Sequence, residues 1–444
     1  MSIKKKIVMY FVLIALLILS ACNLTTNEIY QLPSNLIGEL EDWEGDIYFL
    51  EHELPNLHKD IYHSINEETY KNKIEKLKTE CKDIDDEHRW VKIRTFTSLI
   101  NDAHTSYSTK MTDAFPLNLV VLDDGVFVTA ALNENIHLVR TSTETSTSPS
   151  RVELIKINGK PIFSSSDTEN IFSILKTILS HENEFMIKSM MPSCLLDPSL
   201  LYGADIIPTK EKCTMTFLFP DGSEEDIELE SKSLSTFKDL DWNIYYSNNY
   251  PADKSILPYY LQYNKEKYFG KYISSENTLY ILYNSCSNDE EISFSTFIEN
   301  QYSNCKNENV EKVIIDLRNN GGGDSRIIKP LYSLLKNELA SSKLYVITGE
   351  KTFSSGLMNA IELSKDYNGI LIGGATGGKP NHYGEVKSTQ LPSKNYISWA
   401  TKYFNLLPKD DSASLFPNVS VENTSYDFFN FEDPILSYIL DDEL

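Results

Sequence analysis

Residues 343–373 read KLYVITGEKTFSSGLMNAIELSKDYNGILIG, and this stretch decides the fold. The run Lys343–Thr348 is almost continuously apolar, as a strand buried on both faces must be. A tight turn, GEKTF, gives way to SGLMNAIELSK, whose Leu357, Ala360 and Ile361 recur at helical spacing. GILIGG then returns to an apolar strand. Strand, helix and strand in roughly thirty residues make a parallel crossover unit.

The alternation continues upstream through TLYILYN, FSTFIENQY, VEKVIIDLR, the loop NNGGG and IIKPLYSLLK, while the sequence downstream turns β-rich. Residues 241–444 are therefore expected to form an α/β layer around a largely parallel sheet. Before it, residues 115–235 hold short alternating runs (LNLVVL, GVFVTAAL, VELIKING, CTMTFLFP, DIELE) divided by DDG, NGK and PDGS turns. One helix, at about residues 168–180, interrupts them. LIKINGKPI resembles the strand-turn of PDZ domains, with STETSTSPS replacing a tight loop, so this region reads as a degenerate PDZ-like β-rich domain. Residues 33–110 read as helical, from YKNKIEKLKTECKDI and HRWVKIRTFTSLI, and end in the loop NDAHTSY.

The first residues carry a different message. Lys4, Lys5 and Lys6 precede the apolar run IVMYFVLIALLIL and then Leu19-Ser20-Ala21-Cys22. That order resembles a bacterial lipoprotein signal peptide over residues 1–21, with lipid on the Cys22 sulfur and a polar tether over 22–32. The expectation is an extracytoplasmic protein anchored on a lipid membrane by its acyl chains. A net charge of −23 supplies no basic stripe for phosphates, which argues against a nucleic-acid partner. Five further cysteines are scattered without paired spacing, so zinc is not expected, and a Cys286–Cys305 disulfide stays open.

Ser354 is the first chemical candidate. Taken alone, a serine at a helix start reads as a cap. The triple glycine of RNNGGG (Arg318–Gly323) changes the weighing, because such a loop can turn several backbone N–H groups into one anion nest. In an open α/β sheet it lies at the carboxyl edge, as does the Ser354 corner. Glycine donors there, with the Ser355 N–H, suit an oxyanion. Gly373–Lys379 fits the spacing of a phosphate-binding P-loop, but Pro380 stands where Ser or Thr should enter a helix, so no nucleotide is expected.

VIIDLRNNGGG, TFSSG and ILIGGATGGK, in that order, resemble the tail-specific (C-terminal processing) serine proteases, in their tricorn-core and chlamydial secreted branch. DAHTSY and LFPNVSVENTSYDFFNFEDPIL resemble further segments of that family. The resemblance implies a layered α/β protease core, no cofactor, and cleavage of protein or peptide substrates. It makes Ser354 the nucleophile and gives the oxyanion role to Gly321, Gly322 and the Ser355 N–H, which glycine donates being open. Two bases stay in play. His104 of Asp102-Ala103-His104 matches the histidine branch, with Asp411 as its acid when Pro417-Asn418 is aligned on the family's Pro-Asp. Lys379 matches the lysine branch. The Ser354–His104–Asp411 triad is favoured; Asp410 is a substitute acid, His382 a lesser base, and Asn381 a groove residue alongside Lys379. The competing reading is a non-catalytic peptide-binding surface lipoprotein on the same scaffold.

Overall fold

A computed structural model describes residues 30–139, 151–164, 170–244 and 254–441. The expected signal peptide, Cys22, most of the tether and the STETSTSPS loop lie outside the described residues. The chain folds as two compact units: a C-terminal unit of residues 122–124, 246–381 and 405–444, and an N-terminal unit of residues up to 121, 125–245 and 382–404.

The C-terminal unit is built on one six-stranded sheet whose spatial order follows the chain: β1 (Tyr268–Ile273), β2 (Thr278–Tyr283), β3 (Lys312–Asp316), β4 (Lys343–Thr348), β5 (Ile370–Gly373) and β6 (Val419–Ser420). Only β1 runs antiparallel to its neighbour; β2 to β6 are parallel, as the apolar runs predict. Helices α1 (Phe294–Cys305), α2 (Lys329–Asn337) and α3 (Ser354–Asp366) supply the crossovers.

The strands look continuously apolar because both faces are covered. Leu279, Ile281, Val313, Ile315, Leu344, Val346 and Leu371 share one core with Phe294, Phe297, Leu331, Ala360 and Leu363 of the three helices. Their alternate neighbours Tyr280, Leu282, Ile314, Tyr345, Ile347 and Ile372 pack with Ile435, Leu436 and Ile439 of the helix Pro434–Leu440. The two-residue strand period thus sorts one run of side chains into two cores.

One buried ion cluster ties this layer together. Arg318, just past β3, is bidentate to Asp433 at 3.1 and 2.9 Å and reaches Asp316 at 3.0 Å. Tyr280 donates its hydroxyl to Asp316 at 2.7 Å, and the Tyr260 ring lies 4.3 Å from the guanidinium. Removing the cation would strand two buried carboxylates. Arg318→Met is therefore expected to cost about 3–5 kcal/mol of unfolding free energy, read from urea denaturation, and a loss under 1 kcal/mol would contradict this.

The N-terminal unit has a helical core in which Asp42–His52, Glu67–Glu80 and Asp86–Ser98 bury Phe49, Leu50, Ile74, Ile93 and Phe96. Asn66 and Asp85 cap the latter two helices through Thr69 and His88 amides. Its β-rich part places the strands Trp242–Ile244, Gly125–Leu132, Glu153–Ile157, Lys212–Leu218 and Glu224–Glu230 side by side, with Leu117–Leu122 beside Gly125–Leu132. The helix expected near 168–180 is found at Ile171–Ile178, but Glu184–Cys194 and Pro198–Gly203 are helical too. Pro192 inside the former interrupts the pattern that would have revealed it. The hairpin strands Asn381–Gln390 and Tyr396–Asn405, placed by sequence order with residues 241–444, join a three-stranded sheet in which Tyr396–Asn405 lies between Asn381–Gln390 and Ser106–Ser108. Among the described residues no helix is long and apolar enough to cross a membrane.

Candidate active site

In the C-terminal unit, the chemistry-bearing loops leave neighbouring strands at the same sheet edge. The triple glycine follows β3 and the Ser354 corner follows β4, its parallel partner. Ser354 does not cap its helix: Phe353 is the N-cap, in extended conformation, and makes no side-chain cap bond. Ser354 itself, the first helical residue, has φ +49°, a left-handed backbone that a side chain disfavours. Held strain of this kind clusters at functional sites. It is the geometry of a strained strand-to-helix elbow, reached here without the first glycine of the G-x-S-x-G pattern.

The two serines of the pair divide. Ser355 is buried and its hydroxyl donates to the Gly323 carbonyl at 2.6 Å, tying helix to loop. Ser354 is half-buried. Asn320 holds both loops at once. Its backbone carbonyl accepts the Phe353 N–H at 3.0 Å, its side-chain oxygen accepts the Gly322 N–H at 2.9 Å, and its amide donates to Tyr283 at 2.7 Å. A Cβ on Gly322 would sit 2.9 Å from the Ser354 Cβ and 3.0 Å from the Ser355 nitrogen, so the loop lies in van der Waals contact with the corner. Sequence reasoning singled out the glycines but missed Asn320 beside them.

Cys286 braces the same loop. Its N–H donates to Gly322 at 3.0 Å and its carbonyl accepts from Asp324 at 2.8 Å. Burial pushes its thiol up to about 12, so it stays protonated near neutral pH. Cys286 and Cys305 are both free thiols, so the disulfide left open by the sequence is not formed.

The loop carrying Lys379 is pinned to the corner as well. The Gly378 N–H donates to the Thr352 carbonyl at 3.3 Å, and Thr376 exchanges hydrogen bonds with Ser414 and Leu415. Lys379 is half-buried and leads directly into the strand Asn381–Gln390, as the rejection of a P-loop requires. Asn381 is bonded to Leu407 and Asp410 backbone carbonyls. Asp411 is exposed, and Asp410 accepts the Ser412 N–H at 2.9 Å.

His104 lies in the N-terminal unit, in the loop between Asp86–Ser98 and Ser106–Ser108. Its ring is buried and stacks on His382, with centroids 5.7 Å apart. Its Nδ1 stands 3.8 Å from the Asp102 carboxylate. Burial lowers the His104 pKa below 6.5, the nearby Asp102 charge and a Tyr383 backbone bond opposing it, so the neutral ring dominates at pH 7. Asp102, His104 and Glu182 bring donor atoms within 4.8 Å of one another. Both Asp102 oxygens already accept N–H or O–H bonds, which fits hydrogen-bonded packing better than a cation cage.

The chain has the fold of the tail-specific serine proteases. The structure of mature CPAF complexed with lactacystin is similar over 90% of this chain and 97% of that one, at 13% identity and a TM-score of 0.57. Mature CPAF alone matches over 90% and 95%, at 12% identity and a TM-score of 0.53. The photosystem II D1 C-terminal processing protease aligns over 86% of this chain and 94% of that one, at 11% identity and a TM-score of 0.39. No protein-family model matches the chain, and no curated protein matches it in sequence. The likeness is therefore one of fold.

Proposed function

We propose that this chain is a serine endopeptidase that hydrolyses peptide bonds through an acyl-enzyme on Ser354. The observation that carries the reading is the left-handed backbone of Ser354 packed against Gly322. In the proposed reaction the Ser354 hydroxyl attacks the peptide carbonyl carbon and gives its proton to the base. The base returns that proton to the leaving amine, and water then cleaves the ester. The Ser355 N–H, at a position where helix amides have no intrahelical partner, is one oxyanion donor. The Gly322 N–H is given to Asn320, which leaves Gly321 as the glycine donor.

His104 is the favoured base, held neutral at pH 7 and so ready to accept a proton. Activity must then rise as His104 loses its proton. Because its pKa is lowered, the acid limb of kcat/KM is expected below 6.5, and a limb above neutrality would point to an amine base. His104→Ala should cost about 10³-fold or more in kcat, while Lys379→Ala stays within about tenfold. The reverse pattern would move the base to Lys379. Lipidation at Cys22 would set the enzyme on the outer face of a membrane; loss of metabolic lipid labelling in Cys22→Ala is the expected result.

The decisive test is covalent. A fluorophosphonate probe should label the wild-type chain and not Ser354→Ala. An unlabelled wild type that still binds peptides would instead mark a non-catalytic binding protein on this scaffold.

A further inference from the structure

Behind His104 lies a buried polar chain that the proposed acyl transfer does not yet use. The His58 side chain is fully buried, and its Nδ1 accepts the Asp60 backbone N–H at 3.0 Å. An imidazole nitrogen that accepts an N–H cannot carry a proton, so the His58 proton sits on Nε2. That Nε2–H points to Asp102 Oδ2 at 3.1 Å. Thr105 donates its hydroxyl to the same oxygen at 2.5 Å, and the His104 backbone N–H donates to Oδ1 at 2.9 Å. Three donors thus converge on one fully buried carboxylate, leaving the Oδ1 edge toward His104 Nδ1 at 3.8 Å.

We propose that Asp102 is the carboxylate that orients the His104 ring, and that His58 is a positioning residue that fixes Asp102 through its Nε2–H. The inference rests on His104 being the base. It replaces Asp411 in that role with a side chain two residues away along the chain.

The electrostatics agree with the geometry. Burial works to raise the Asp102 pKa, but the His58 hydrogen bond, the His104 charge when that ring is protonated, and the Thr105 and His104 backbone bonds outweigh it, so the Asp102 pKa is lowered. A buried anion beside Nδ1 favours the tautomer with the proton on Nδ1, which frees Nε2 to accept one. Among the described residues, the His382 ring, the Tyr383 backbone and Glu182 also face His104. Glu182 accepts the Ala103 N–H at 3.3 Å and is the rival carboxylate for the same task.

The test reads the ring directly. The mature chain with ¹⁵N-labelled histidine is examined by long-range ¹⁵N–¹H correlation at pH 7, with His104 assigned from His104→Gln. Wild-type His104 is expected as the Nδ1–H tautomer, and an Nε2–H tautomer overturns the proposal without any variant having to fold. Asp102→Asn should lose that tautomer and about 10²- to 10⁴-fold in kcat, with KM nearly unchanged. Asp411→Asn should stay within about threefold. His58→Phe should lower kcat about tenfold, and His58→Gln, which still carries an N–H donor, should recover most of it. A folded Asp102→Asn with unaltered tautomer, or the tautomer change appearing in Glu182→Gln instead, overturns the assignment. Full activity in His104→Ala would remove His104 as the base while leaving the measured tautomer and its Asp102 dependence intact, so the two failures are separable.

Discussion

Replacing Ser354 with glycine is expected to abolish peptide hydrolysis and to stabilise the fold by about 1 kcal/mol. Loss of the attacking hydroxyl should lower kcat by about 10⁴- to 10⁶-fold, as for other nucleophiles acting within a catalytic set. The gain in stability has a separate origin. Ser354 has φ +49°, a conformation that costs a residue with a side chain roughly 1–3 kcal/mol and glycine almost nothing. Glycine gives back roughly 0.4–1 kcal/mol through the greater freedom of its unfolded chain. The native structure holds the strain because Phe353 is fixed on both sides: its N–H donates to Asn320 at 3.0 Å and its carbonyl accepts from Gly356 at 2.9 Å. Ser354→Ala separates the two effects, since alanine loses the hydroxyl but keeps the strained backbone. It should be as inactive as the glycine variant, yet within about 0.5 kcal/mol of wild type. Urea denaturation of all three chains, with a peptide-hydrolysis assay, checks both halves. If glycine and alanine are equally stable, the corner stores no strain; if either retains turnover, Ser354 is not the nucleophile.

The sheet of the C-terminal unit was legible because burial on both faces makes each strand a run of consecutive apolar residues. Lys343–Thr348 is found as a strand with the limits its sequence suggests. The flanking edge Tyr268–Ile273 escaped notice: Gly270 and Lys271 break its apolar run, and it is held by antiparallel pairing with β2. Distance along the chain hid more. Ser106 pairs with Ser398 across nearly three hundred residues, so no local periodicity could assign the Asn381–Asn405 hairpin to the N-terminal unit. The candidate site shows the same division. Ser354, Ser355 and the glycines announce themselves through residue type at a strand end. His58, 44 residues from Asp102, gives no such signal, because its role comes from a neighbour that only folding supplies. Asn320 sat inside a quoted motif, yet its triple engagement with Phe353, Gly322 and Tyr283 is a tertiary property.

Gly322→Ala and Gly321→Ala differ by one position and are expected to differ by several kcal/mol. Gly322 has φ +111°, outside the range an L side chain adopts without strain. Its new methyl would also meet the Ser354 Cβ at 2.9 Å, the Ser355 nitrogen at 3.0 Å and the Phe353 carbonyl at 3.3 Å. Two of these neighbours are backbone atoms, so no side-chain rotation relieves the overlap. The loop or the corner must move. Together, strain and overpacking should cost about 2–4 kcal/mol of stability. Displacing the donors facing the Ser354 corner should also lower kcat about 10²- to 10³-fold, the usual cost of losing an oxyanion donor. A Cβ on Gly321, by contrast, meets nothing within 4 Å, and that residue does not have positive φ. Gly321→Ala keeps the amide and should stay within about 0.5 kcal/mol of wild-type stability. The comparison needs only denaturation curves for the pair and an activity assay for Gly322→Ala. Equal stability of the two variants would mean that loop and corner are not in contact, and the packing on which the proposed oxyanion site depends would be wrong.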